Sequence, residues 1–157
     1  MQDNAAHLLG SLRETIWVLN NRSVSVRDFV GTIKNNYFKL LRNYEAIDFS
    51  SEEGADPSRN IAATQAIHLN SILQEGFQNS MKHAGSCKVL FKTYETEGRL
   101  VFALQDDGCG FASDKSGIGH GLENMRWRAN QAGYTLEIIS HPGSGTLLLL
   151  TEIKSTP

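Results

Sequence analysis

The sequence predicts an α+β fold, with helices on one face of a mostly antiparallel sheet. Three observations carry that reading. Apolar residues recur at helical spacing in three stretches, and period-2 runs come in two neighbouring pairs joined by turns. The chain has 157 residues, 40% of them hydrophobic, enough to bury one core.

In chain order, Ala5, Leu8, Leu9, Leu12, Ile16 and Leu19 form one helical stripe, which Asn20 to Ser23 interrupt. Ser25 and Asp28 have the spacing of a capping box, opening a second stripe: Val26, Phe29, Val30, Ile33, Tyr37, Leu40, Leu41 and Tyr44. The two stripes read as a helical hairpin. Ile47 and Phe49 alternate as in a strand, and the polar segment from Ser50 to Asn60 reads as a loop. A long helix is expected from about Ile61 to Ala84. Two period-2 runs follow, Cys87 to Thr93 and Leu100 to Leu104, joined by a hairpin turn at Thr96-Glu97-Gly98. A glycine-rich stretch, Gly108 to Gly121, leads into a helix from Leu122 to Ala132. Strands from Tyr134 to Ser140 and Thr146 to Glu152 close the chain around the turn His141 to Gly145.

Composition excludes several classes. Charged residues are 20% and the net charge is −2, which fits neither a disordered polyelectrolyte nor a duplex-binding protein with its basic patch; no nucleic-acid partner is expected. Cys87 and Cys109 form no CxxC pair, so neither a disulfide framework nor a zinc site is read, and a reducing compartment is expected. The longest aliphatic run, Leu147 to Leu150, is far short of the ~20 residues that span a bilayer.

Three segments carry chemistry. On the long helix, Ala66, Leu73, Phe77 and Ala84 share one face, and Glu75, Asn79 and Lys82 share the opposite one. Carboxylate and amide oxygens suit a hard cation such as Mg²⁺, and an ammonium neutralises phosphate. Taken alone, the same column also reads as a solvated helix face. Asp106-Asp107-Gly108-Cys109-Gly110-Phe111 follows a strand directly; its carboxylate suits an exocyclic amine, and its glycines permit a tight turn. Gly117-Ile118-Gly119-His120-Gly121-Leu122 opens a helix, whose N-terminal N–H groups form a natural phosphate site. Gly110 to Ser116 mimics a P-loop but places Asp114 where a glycine is required, so that reading is rejected.

In their fixed order, Glu75-x-x-x-Asn79-x-x-Lys82-His83-Ala84, Asp106-x-Gly108-x-Gly110 and Gly117-x-Gly119-x-Gly121-Leu122 resemble the asparagine box and two glycine boxes of the GHKL (Bergerat) ATP-binding fold. The Lys-His-Ala ending, Gly121-Leu-Glu-Asn-Met-Arg126 and Pro142-Gly-Ser-Gly-Thr146 look like sensor histidine kinases of the NarX/DesK type. Ser11-Leu-Arg-Glu-Thr-Ile-Trp17 is similar to the second helix of that family's dimerisation and phosphotransfer hairpin.

The resemblance implies a two-layer α/β sandwich with a mixed, mostly antiparallel sheet, and two parts, residues 1–22 as the end of the hairpin and 23–157 as the ATP-binding catalytic domain. It implies ATP and Mg²⁺ as ligands, with Asn79 and Glu75 at the metal and Glu75 polarising a metal-bound or attacking water. Lys82 and His83 would face the phosphates. Asp106 would read the adenine amine, and Gly108 and Gly110 would let the ring approach the backbone. Gly117, Gly119, Gly121 and Leu122 would wrap the triphosphate, Thr146 would reach the adenine end, and residues 111–116 would form a short ATP lid. His120 is read as solvent-facing.

One departure matters. The family's phosphoacceptor histidine is followed by an acidic residue, whereas His7, His68, His83, His120 and His141 precede Leu, Leu, Ala, Gly and Pro. The expectation is therefore a piece of a longer, cytoplasmic or membrane-anchored kinase, dimeric through its hairpin. It would transfer the ATP γ-phosphoryl group to a histidine outside this chain, for relay to a response regulator. A stand-alone serine kinase of the anti-sigma-factor type and a non-catalytic nucleotide-binding module are the alternatives.

Overall fold

The structure, a computed structural model, describes residues 22–42, 46–83, 88–112 and 120–154. The first helical stripe, and with it the partial hairpin, lies outside the described residues, as do Ala84 and Cys87. The described elements are β1 (Ser23–Ser25), α1 (Val26–Leu41), β2 (Asp48–Glu53), β3 (Asn60–Ala62), α2 (Ala63–His83), β4 (Lys88–Thr96), β5 (Arg99–Asp106), α3 (His120–Ala132), β6 (Tyr134–Ser140) and β7 (Thr146–Glu152). Five strands form one sheet in the order β2-β4-β5-β7-β6. The β2–β4 pair is parallel and the other three pairs are antiparallel, so the sheet is mixed and mostly antiparallel, as expected.

Strand alternation aims Val89, Phe91, Leu100, Phe102, Leu104, Leu148 and Leu150 into one core with the helices. Helix α1 contributes Phe29, Val30, Ile33 and Tyr37; helix α2 contributes Leu69, Ile72, Leu73 and Phe77. Tyr37 stacks on Phe77 with ring centroids 4.0 Å apart, and its hydroxyl donates to the Leu73 carbonyl at 3.0 Å. That bond satisfies the one polar atom of a buried ring, and burial raises the Tyr37 pKa. Where α2 crosses the sheet, Gly76 leaves it no room: a Cβ there would stand 2.9 Å from Leu148 Cδ1. The glycine lets the helix settle onto β5 and β7 beside Glu75.

Three local expectations change. Asn20 to Ser23 reads as a break, yet Ser23–Ser25 forms β1 and pairs with β3, burying Val24 opposite Ile61. Three residues are too short to show a period. The polar run after Phe49 is not all loop, because β2 continues to Glu53 beside β4. As an edge strand it is polar on both sides, which hides the alternation and guards the open edge; Lys34–Glu53 and Lys92–Glu52 pair across it at 2.7 and 3.0 Å. Finally, Ser25 caps α1 by accepting from the Asp28 N–H, but the Asp28 carboxylate accepts from the Ser25 hydroxyl at 2.8 Å and not from the Ser25 N–H of a full capping box. The β4–β5 hairpin turns at Glu97-Gly98, both at positive φ (53° and 72°), which matches the twist of antiparallel strands. Among the described residues no helix is long and apolar enough to cross a membrane.

Candidate functional site

The site lies where β5 ends. Register places Thr146 opposite Asp106, and Ser140 opposite Thr146, so three polar side chains share a row across β5, β7 and β6. Asp106 is 7% exposed, and both carboxylate oxygens are engaged. Oδ1 accepts from the Gly108 N–H at 3.0 Å, and Oδ2 accepts from the Ser80 hydroxyl at 2.6 Å. Each oxygen keeps an acceptor direction for a ligand amine. The next residue has another task. Asp107 is exposed, and its carboxylate accepts from the Lys88 N–H at 2.6 Å, tying the turn to the start of β4.

Two turns are clasped behind this row. Gly143 N–H donates to the Cys109 carbonyl at 2.7 Å, and Phe111 N–H donates to Ser140 Oγ at 2.9 Å. Ser140 is buried; its hydroxyl lies 3.1 Å from the Gly145 carbonyl and 2.9 Å from Thr146 Oγ1. Gly110 has φ +60°, and a Cβ on it would meet the His141 carbonyl at 2.1 Å. Its glycine requirement therefore comes from the opposing turn, where the sequence suggested close approach to a ligand ring.

Helix α2 supplies the other wall. Glu75 and Asn79, one turn apart, are half-buried, and Lys82 is exposed. Gly121, in the first turn of α3, meets this column: a Cβ on it would stand 3.1 Å from Glu75 Oε1. The asparagine box and the end of the second glycine box thus meet in space. Leu122 is partly buried and packs against the core, and His120 is exposed. Gly117, Gly119 and most of the expected lid lie outside the described residues, as does the side chain of His83. Of the sequence-derived set, the fold brings together Asp106, Gly108, Gly110 and Thr146 at one end of the sheet, and Glu75 and Gly121 at the meeting of α2 and α3.

Sequence reasoning missed Ser80 and Ser140 as partners of this row, and Gly145 as a fitted residue. Ser80 directly follows Asn79, and Gly145 sits inside the Pro-Gly-Ser-Gly-Thr segment; those neighbourhoods were the available signals.

A magnesium ion fits this donor set. Among the described residues no three His, Cys, Asp or Glu side chains cluster as a cage. Magnesium takes one or two protein oxygens and completes its octahedron with phosphate and water. Glu75 and Asn79 offer that number, and Glu75 Oε1 reaches the first turn of α3 at Gly121.

A family model for the histidine kinase-, DNA gyrase B- and HSP90-like ATPases matches residues 64–156, a span that holds every residue of this site. The chain belongs to that ATPase family. Among its relatives is the sensor protein VraS of Staphylococcus epidermidis, 41% identical over 89 residues, which are 56% of this chain and 25% of that protein. The chain thus spans about a quarter of the length of the curated relatives it matches. The ATPase fold recurs in the histidine kinase AdeS of Acinetobacter baumannii, with TM-score 0.72 at 13% identity over 98% of this chain and 80% of that one. It recurs also in the histidine kinase domain of a blue-light activated kinase from Erythrobacter litoralis. That match has TM-score 0.68 at 20% identity, over 82% of this chain and 61% of that one. The GHKL fold expected from the boxes is the fold observed.

Proposed function

We propose that this chain is the ATP-binding catalytic part of a sensor histidine kinase. The observation that carries the reading is the approach of Gly121 to Glu75, which joins the two boxes on the helix whose Ser80 holds Asp106. Asp106 accepts the adenine amine, and Gly108 fixes its orientation. Thr146 stands in the same row at the adenine end. The N-terminal turn of α3, with Gly121 and Leu122, faces the phosphates, where helix N–H groups and the positive dipole end favour an anion; the sequence motif assigns Gly117 and Gly119 the same role. Lys82 adds positive charge there, and the sequence motif assigns His83 to the same phosphates. Asn79 and Glu75 would hold Mg²⁺, which when bound neutralises charge on the phosphate oxygens.

The reaction moves the γ-phosphoryl group. The Pγ–O bond to the β-phosphate breaks, a P–N bond forms to the acceptor histidine, and ADP leaves; a response-regulator aspartate takes the group next. The protein's part is positioning and charge neutralisation. Glu75 would polarise a metal-bound or attacking water.

Residues 23–157 form the catalytic domain in this reading. The supporting observation is a core that runs, among the described residues, from Val24 to Leu150. Residues 1–22 belong to a hairpin through which the longer kinase dimerises. Incubation with labelled ATP and a separate hairpin bearing His-Asp or His-Glu tests this. Acid-labile label on the hairpin is expected; label on a serine of a partner protein instead would point to the anti-sigma-factor type.

A further inference from the structure

Ser80 stands out because a buried hydroxyl faces a buried carboxylate that the chemistry uses. Both residues are under 10% exposed. Ser80 Oγ lies 2.6 Å from Asp106 Oδ2 and 3.2 Å from the Gly76 carbonyl of its own helix. A hydroxyl has one proton, and the charged acceptor at the shorter distance takes it. Either way the proton points at an acceptor of this chain.

We propose that Ser80 is a positioning residue that makes Asp106 selective for a 6-amino purine over a 6-oxo or 6-unsubstituted one. Asp106 has two anchors, a turn N–H on Oδ1 and the Ser80 hydroxyl on Oδ2. Two donors on opposite oxygens fix the carboxylate plane, so that its remaining lone pairs stay aimed at one direction. A single anchor leaves that plane able to rotate, and water then competes for the loosened oxygen. Pre-orientation of this kind appears in affinity because the orienting cost falls before binding. The second effect is one of sign. With the Ser80 proton committed to Asp106 or Gly76, this pair presents acceptors only, which suits an amine and repels an oxo group.

The inference rests on Asp106 reading the adenine amine. The test measures affinities of the full 157-residue chain by calorimetry for ATP, GTP and purine riboside triphosphate, which lacks the 6-amine. Ser80→Ala should lower ATP affinity about tenfold, the cost of losing a hydrogen bond to a charged group, and change the unsubstituted analogue less than about twofold. Ser80→Thr, which restores the hydroxyl, should recover the ATP preference. If Ser80→Ala does not fold, Ser80→Cys, with a weak donor of similar size, carries the comparison and should give an intermediate loss confined to ATP. Equal binding of ATP and the analogue by the parent chain overturns the amine reading and this proposal with it. A preference that survives loss of the hydroxyl, or equal losses on both nucleotides, overturns the Ser80 proposal alone.

Discussion

Gly145 packs so tightly on Asp106 that a Cβ there would stand 2.0 Å from the Asp106 carbonyl oxygen. Its neighbour Gly143 has the same left-handed backbone, φ +79° against +73°, but nothing within 4 Å of its Cβ position. The pair separates two costs that usually come together. Gly143→Ala should cost only the left-handed penalty, about 1–2 kcal/mol. Gly145→Ala should cost clearly more, because backbone must move to admit the methyl group. Denaturant unfolding of both variants checks the order. Equal losses would mean the clasp between the two turns is looser than the geometry indicates.

Gly121→Ala makes the opposite prediction. The position is helical, where alanine is favoured by up to about 1 kcal/mol. The new methyl group would press on the end of the flexible Glu75 side chain, 3.1 Å away. Thermal stability should hold or rise while Mg²⁺-ATP affinity falls. Loss of both together would show that Glu75 and Gly121 are coupled through the fold and not through the ligand.

His68 supplies a pH dependence. Burial, and the charge of Arg128 on α3, lower its pKa from the usual 6.5. Its ring meets Trp127 edge-on, with centroids 5.8 Å apart, and its Nδ1 has no hydrogen-bond partner among the described residues. A histidine depressed in the folded state binds its proton more readily when unfolded, so its contribution is full above about pH 6.5 and declines as pH falls through the folded value. His68→Asn should therefore flatten the drop in melting temperature between pH 7.5 and 5.5. An unchanged slope would assign that drop to other groups.

Much of this was legible in the chain. Tyr134–Ser140 and Thr146–Glu152 fall where the period-2 pattern put them, and the long α2 helix runs Ala63–His83 against an expectation of 61–84. Both are buried on one face, which makes periodicity informative. The losses were β1 and β3, each too short for a period, and the far half of β2, polar on both sides at the sheet edge. At the candidate site, Glu75 drew attention by sharing a helix face with Asn79 and Lys82, and Asp106 by the glycine turn that follows its strand. Ser80 and Ser140 stayed hidden, since a serine on a helix or strand signals nothing until a carboxylate or turn faces it. Gly110 was found for a different reason than the one that holds it: its missing side chain makes room for His141.

The most direct test of the central claim is calorimetric titration of the chain with ATP and with GTP, with and without Mg²⁺, in parallel with Asn79→Asp. The account predicts ATP binding strengthened by Mg²⁺, GTP weaker by about tenfold or more through loss of the Asp106 contact, and a weakened metal effect in a still-folded Asn79→Asp. Equal affinity for the two nucleotides, or an Asn79→Asp variant that binds Mg²⁺-ATP like the parent, would contradict it.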